Sequence, residues 1–229
     1  MKKLLFVTTA IGYGIGGSEK ALIEMLKKLD LTKYSITVLS LKEKTEKKFE
    51  RNGISVVYGE PSFLRLYEPF TTALRNIHNY KFRELMAKLC VSIITRLSKR
   101  NCAAIVWKLY KPYITPVNEE FDVVIGYGPG MASFYAMDKT SCRRKILWVD
   151  TDIKKAHMDI NYLKSYYLKA DSIVLVSDGL KKSFLNIYPE FKDKSYVVRN
   201  ILDVDEITKK SKEQKGFDDV TDSVRILSV

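Results

Sequence analysis

Histidine and cysteine are nearly missing from this sequence. Two histidines and three cysteines in 229 residues make a zinc site improbable, and neither His78 nor His157 is assigned a role. Cys90, Cys102 and Cys142 fit no metal-ligand spacing and no even-numbered disulfide framework. They are expected to be buried thiols of a reducing compartment. Long apolar runs are also lacking. After Lys2-Lys3 the run Leu4–Val7 stops well short of the roughly seven residues a signal peptide needs. No stretch approaches the roughly 20 apolar residues of a membrane span. The expected location is the cytoplasm, with contact at the inner face of the cell membrane. There is no low-complexity tract, and a composition 46% hydrophobic and 29% charged excludes disorder, a collagen-like fibre and a mucin-like stalk.

Lys and Arg number 39 against 27 acids, a formal net charge of +12. Such an excess points to an anionic partner: nucleic acid, a phosphorylated substrate or an acidic membrane face. The charge is not spread evenly. Residues 75–111 carry Arg75, Lys81, Arg83, Lys88, Arg96, Lys99, Arg100, Lys108 and Lys111 against the single acid Glu84.

The first residues alternate strand and helix signals. Lys3–Thr9 reads as a buried strand, followed by the glycine cluster Gly12-Tyr13-Gly14-Ile15-Gly16-Gly17. A helix comes next, with Leu22, Met25, Leu26 and Leu29 on one face and Ser18 as its expected N-cap. Ser35–Leu41 and Ile54–Tyr58 are further strands. The middle, about 63–113, reads as a helical insert. There Phe82, Leu85, Met86, Leu89, Cys90, Ile93, Ile94 and Leu97 form one apolar stripe at helical spacing. Alternation resumes with strands at Asp122–Tyr127, Lys145–Val149, Ser172–Ser177 and Tyr196–Arg199. Helices are expected after Gly128-Pro129-Gly130, over Ile160–Ala170 and over Asp178–Tyr188. Strand, glycine turn, helix, strand predicts an α/β fold: a doubly wound, mainly parallel, Rossmann-like sheet with helices on both faces.

Gly12, Gly14 and Gly17 match G-x-G-x-x-G, whose backbone amides can approach an anion at a helix N-terminus. The first glycine comes four residues later than a dinucleotide fingerprint places it. With Glu43 near the ribose position, an NAD(P)-dependent oxidoreductase is one reading, and a plain glycine turn without a ligand is another.

A longer series of segments resembles one family. K-K-L-L-F-V-T (Lys2–Thr8) and G-G-S-E-K-A-L (Gly16–Leu22) come first, then F-D-V-V-I-G-Y (Phe121–Tyr127) and K-I-L-W-V-D-T-D-I (Lys145–Ile153). A-D-S-I-V-L-V-S-D-G-L-K-K-S-F (Ala170–Phe184), V-V-R-N-I-L-D (Val197–Asp203) and V-R-I-L-S-V (Val224–Val229) complete it. In order and spacing these are similar to the N-terminal half of family 4 (group 1) retaining glycosyltransferases. The resemblance implies a GT-B arrangement of two Rossmann-like domains, of which this chain supplies the acceptor side. Residues 1–204 would form that domain, 205–222 a linker, and 223–229 the first strand of a second, donor-binding domain. On its own the chain is then expected to be inactive.

The implied reaction moves a sugar from a nucleotide-sugar to a saccharide or lipid-linked acceptor, with retention and without metal or tightly bound cofactor. Family habit places it in bacterial surface polysaccharide (capsule) synthesis. Gly16 and Gly17 match the loop that meets the donor phosphate, and Ser177 and Asn200 match strand ends facing the cleft. Gly128 and Asp152 fall on the acceptor side. Asp150 stands where many members carry His. Asp150 and Asp152 are the catalytic candidates, since a carboxylate can accept a hydroxyl proton. Each has a plainer reading: an Asp after a strand often caps a turn, and Ser177 before Asp178 fits an N-cap. The basic insert, residues 63–111, fits an anionic membrane surface, and also an ordinary helix with a buried stripe and solvated charges. A non-enzymatic membrane-docking module is a third reading. No nucleic-acid-binding motif is present, so nucleic acid is not an expected partner.

Overall fold

A computed structural model describes residues 1–12, 16–43, 49–98 and 102–213. Seven strands form one all-parallel sheet: β1 (Lys2–Thr8), β2 (Tyr34–Ser40), β3 (Ile54–Tyr58), β4 (Glu120–Tyr127), β5 (Ser141–Val149), β6 (Ser172–Leu175) and β7 (Ser195–Val197). Their order is β3-β2-β1-β4-β5-β6-β7. Parallel strands need both faces covered, which is why β1 reads as an unbroken apolar run rather than an alternation. Leu5 and Val7 of β1 enter one apolar cluster, and Leu4 and Phe6 enter the other, across the sheet.

Helix α1 (Gly17–Lys28) joins β1 to β2 and covers one face through Leu22 and Leu26. Between β3 and β4 lie α2 (Pro61–Tyr67), α3 (Phe70–Arg75), α4 (Phe82–Leu97) and α5 (Ala103–Tyr110). Phe63, Leu66, Val91, Val106, Trp107 and Tyr110 from this insert bury against the opposite face. That face also receives α6 (Met131–Asp138), α7 (Ile160–Lys169) and α8 (Asp178–Ile187). Helix α9 (Val204–Glu213) follows β7. The doubly wound α/β reading therefore holds, with every described strand parallel. The strand expected over 223–229 and the rest of the linker, from 214, lie outside the described residues.

Gly126 holds α6 close to β4. A Cβ there would lie 2.9 Å from the Ser133 Cα and 3.2 Å from the Ala136 Cβ. Only a residue without a side chain permits that approach.

Two expectations are corrected, and one open alternative is decided. The N-cap of α1 is Gly16, in extended conformation, so Ser18 lies inside the first turn. The apolar stripe of α4, read either as core-facing or as a surface, turns mostly outward, with only Leu85 of it buried. Its buried side is Glu84, Leu85, Lys88 and Val91, while Phe82 (76% exposed), Met86, Cys90, Ile93 and Leu97 (80%) point outward. The cause is polar. The Glu84 carboxylate accepts from the Tyr110 hydroxyl at 3.0 Å, and the Lys88 ammonium donates to the Arg65 carbonyl. These bonds tie α4 to α5 and α2 through its charged side, and burial holds the Lys88 pKa below its usual value. Lys88 is thus a core residue, not part of a solvated basic face. Thirdly, none of the three cysteines is buried: Cys90 is exposed, and Cys102 and Cys142 are half-buried.

One carboxylate fastens the insert to the sheet-covering helices. Asp138 Oδ2 accepts from Trp107 Nε1 at 2.8 Å and the Tyr166 hydroxyl at 2.6 Å, and pairs with Lys111 Nζ at 2.9 Å. Burial works against its charge, but the bonds from Tyr166, Trp107 and Lys111 outweigh this and hold the carboxyl below the usual carboxylate range. Asp138→Ala strands the buried Trp107 N–H and is expected to cost about 1–3 kcal/mol in urea unfolding. Because the folded pKa is depressed, the stabilisation is complete above the unfolded value of about 4 and is lost as pH falls through the folded value. Asp138→Asn should flatten that acid limb of the stability curve.

Candidate functional site

In an open parallel sheet, ligands collect beyond the carboxyl ends of the strands, where successive connections depart to opposite faces. Here that point lies between β1 and β4, since α1 and α6 cover opposite faces. Every residue singled out from the sequence follows the carboxyl end of a strand: Gly16 and Gly17 after β1, Gly128 after β4, Asp150 and Asp152 after β5, Ser177 after β6 and Asn200 after β7. The parallel topology alone sets them along one edge.

Gly16 and Gly17 are exposed at the start of α1. A Cβ on Gly17 would meet nothing within 4 Å, and one on Gly16 would just reach the Glu19 Cβ at 4.0 Å. Gly16 has no side chain with which to cap the helix, and among the described residues no side chain caps it, so the positive end of the helix dipole carries no capping group there. Gly17 and Asn200 line the same groove of about 550 Å³, between α1 and residues 200–210. Lys20 and Lys27 border it too. Its far part carries Glu24, Asp203 and Glu206, whose carboxylate oxygens lie within 4.8 Å of one another. A phosphate is repelled there, so an anion fits only the Gly17 end.

The turn after β4 is built on glycine. Gly128 has φ +100° and Gly130 φ +90°, a backbone region that other residues rarely adopt. Ser133 Oγ donates to the Gly128 carbonyl at 2.7 Å and Gly128 N–H to the Trp148 carbonyl at 3.1 Å. A Cβ on Gly130 would sit 3.3 Å from the Met158 Cε. The loop that carries Asp150 and Asp152 therefore touches the Gly128–Gly130 turn.

The two aspartates separate cleanly. Asp152 Oδ1 accepts from the amides of Lys154 and Lys155 at 3.0 and 3.1 Å, and its Oδ2 accepts from Ser183 Oγ at 2.9 Å. The Lys155 amide and the Ser183 hydroxyl lead in holding its pKa below the usual value. Both oxygens are committed to a turn, so Asp152 is a poor base and has little capacity left for an acceptor. Asp150, half-buried, makes no hydrogen bond or ion pair among the described residues. Its charge adds to burial in pushing the Tyr127 phenol up. Ser177 is the N-cap of α8, its Oγ accepting from Leu180 N–H at 3.1 Å. Of the cleft candidates, Gly16, Gly17, Asp150 and Asn200 keep groups available to a ligand, while the N–H and carbonyl of Gly128 are both engaged in its turn. Asp152 and Ser177 are spent on local structure.

Sequence reasoning missed one pair. Trp148 stacks on Tyr127 with centroids 5.2 Å apart, and both join Ile11 of the loop after β1 in one apolar cluster. Among the described residues the buried Trp148 indole N–H has no acceptor. Its place next to the end of a strand was the signal.

Compared with known protein families and with curated proteins, the chain matches none.

Gly128→Ala tests the turn. Its methyl would meet nothing within 4 Å, so the penalty is backbone strain alone, about 1–2 kcal/mol in denaturant unfolding.

Proposed function

We propose that the chain is the acceptor-side half of a retaining, GT-B-type glycosyltransferase. It would use a nucleotide-sugar and a saccharide or lipid-linked acceptor, in bacterial surface polysaccharide synthesis. The observation that carries this reading is the exposed glycine start of α1 at Gly16–Gly17, without a side-chain cap among the described residues, with Gly17 sharing a groove with Asn200. Amides there can stabilise charge gathering on a departing diphosphate delivered from a partner lobe. Asp150 is the group left to orient or deprotonate the acceptor hydroxyl.

The test is transfer from radiolabelled nucleotide-sugars by the gene-encoded protein, with saccharide and lipid-linked acceptors. Gly17→Val keeps the amide but sets a branched side chain beside it, clear of other atoms at its Cβ, so the fold should be kept while turnover falls about 100-fold, the scale of one blocked oxyanion donor. Absence of transfer and of donor hydrolysis with every nucleotide-sugar overturns the proposal. The strand order is also that of dinucleotide-binding proteins, which favours an NAD(P)-dependent oxidoreductase as the second reading. Titration separates the two: saturable NAD(P)H binding by residues 1–229 supports the oxidoreductase, and none is expected.

The outward stripe of α4 gives this half a membrane face. Phe82, Met86, Ile93 and Leu97 are exposed, and so are Lys81, Arg83 and Arg96 on or next to the same helix and Arg75 of α3. No helix among the described residues is long and apolar enough to cross a bilayer, so the contact would be interfacial. Each basic residue near an anionic surface contributes about 1 kcal/mol. The chain should co-sediment with vesicles containing anionic lipid and not with neutral ones. Phe82→Asp with Leu97→Asp should release it.

A further inference from the structure

The insert forms a half-open hollow that the sheet-edge site does not use. It measures about 600 Å³, within the roughly 300–1,000 Å³ of small-molecule sites. Leu66 of α2, Val91 of α4 and Val106 of α5 form its buried walls, and Met131, the first residue of α6, lines it too. Ile93 lines it and also belongs to the outward stripe of α4, so the cavity opens onto that stripe. Arg96, one turn further along α4, stands at the mouth. It is exposed and has no hydrogen bond or ion pair among the described residues. The one acid in the lining, Glu68, is engaged by the Tyr80 hydroxyl.

An apolar chamber with one unpaired guanidinium at its lip suits a particular ligand shape. We infer that the cavity binds a single-chain anionic amphiphile, with the hydrocarbon chain inside against Val91, Val106 and Met131 and a phosphate or carboxylate head on Arg96. A polar solute would leave the walls unsatisfied, and a neutral chain would leave Arg96 without a partner. A planar guanidinium matches either anionic head through paired N–H donors. This site stands on the cavity and not on the transferase reading. Where that reading also holds, the ligand is the anchored acceptor, because Met131 continues directly from the Gly128–Gly130 turn.

Binding is measured without any transfer assay, so the two proposals fail separately. Dodecyl phosphate, kept below its micelle concentration, is titrated into the 229-residue chain labelled at its methionine methyls. The Met131 methyl resonance should shift and saturate at one equivalent, while Met25, on the other face of the sheet, stays still. Inorganic phosphate should produce no shift. Arg96→Gln should weaken dodecyl phosphate binding at least about tenfold, the scale of one charge-assisted bond, and leave dodecanol binding unchanged. Ala103→Trp and, independently, Ser92→Phe fill the chamber and should abolish binding of both. No saturable shift of Met131 in the wild-type chain overturns the inference. So does a shift confined to Met86 on the outer stripe, which marks surface adsorption, and so does equal affinity in the Arg96→Gln chain.

Discussion

The site depends on the chain leaving β1 and β4 toward opposite faces of one sheet. With α1 on one side and α6 on the other, the two neighbouring strand ends have no helix crossing between them, and a crevice is unavoidable. Glycines then set what the crevice offers. Gly16 and Gly17 leave the start of α1 bare, and Gly128 and Gly130 turn the chain through conformations that other residues resist. Gly126 lets α6 pack closely on β4, and Met131 at the start of α6 lines the hollow of the insert.

The sheet was readable in the sequence because parallel strands are buried on both sides. Ile54–Tyr58 is a strand over the residues expected, and β1, β2, β4 and β6 differ by one or two residues at their ends. β5 begins earlier than expected, at Ser141 rather than Lys145, because its first residues are polar and pair only at the sheet's rim. The insert was legible as helix, and its orientation was left open between a core-facing stripe and an exposed one. Spacing identified α4 over Phe82–Leu97 to the residue, but periodicity alone selects the most apolar face. That face lost to a polar one, since Glu84 and Lys88 find Tyr110 and the Arg65 carbonyl. Side-chain partners contributed by α2 and α5, distant in sequence, were invisible to a helical wheel.

The site was legible in position more than in role. Topology placed each candidate at a strand end, which the order of motifs already implied. What a side chain does there depends on neighbours supplied by other segments. Asp152 and Asp150 stand two residues apart with the same chemistry. One is consumed by two amides and by Ser183 from α8, and the other is left with an electrostatic neighbour, Tyr127. Nothing in the local string distinguishes them. The Trp148–Tyr127 stack was hidden for the same reason, since the register that sets the two rings side by side belongs to the β4–β5 pairing.

The order of the strands has a consequence for how this chain reaches its native state on the ribosome. β1 can pair with β2 soon after both emerge, but its other partner is β4, and Leu4 must wait for Val123. The delay is roughly ten seconds at ordinary elongation rates, and the helical insert is made during it. Until then β1 has a naked edge of apolar residues inside what will become the middle of the sheet. The insert's early helices, local in their contacts and quick to form, are the nearest apolar partners available to shield that nascent half-sheet.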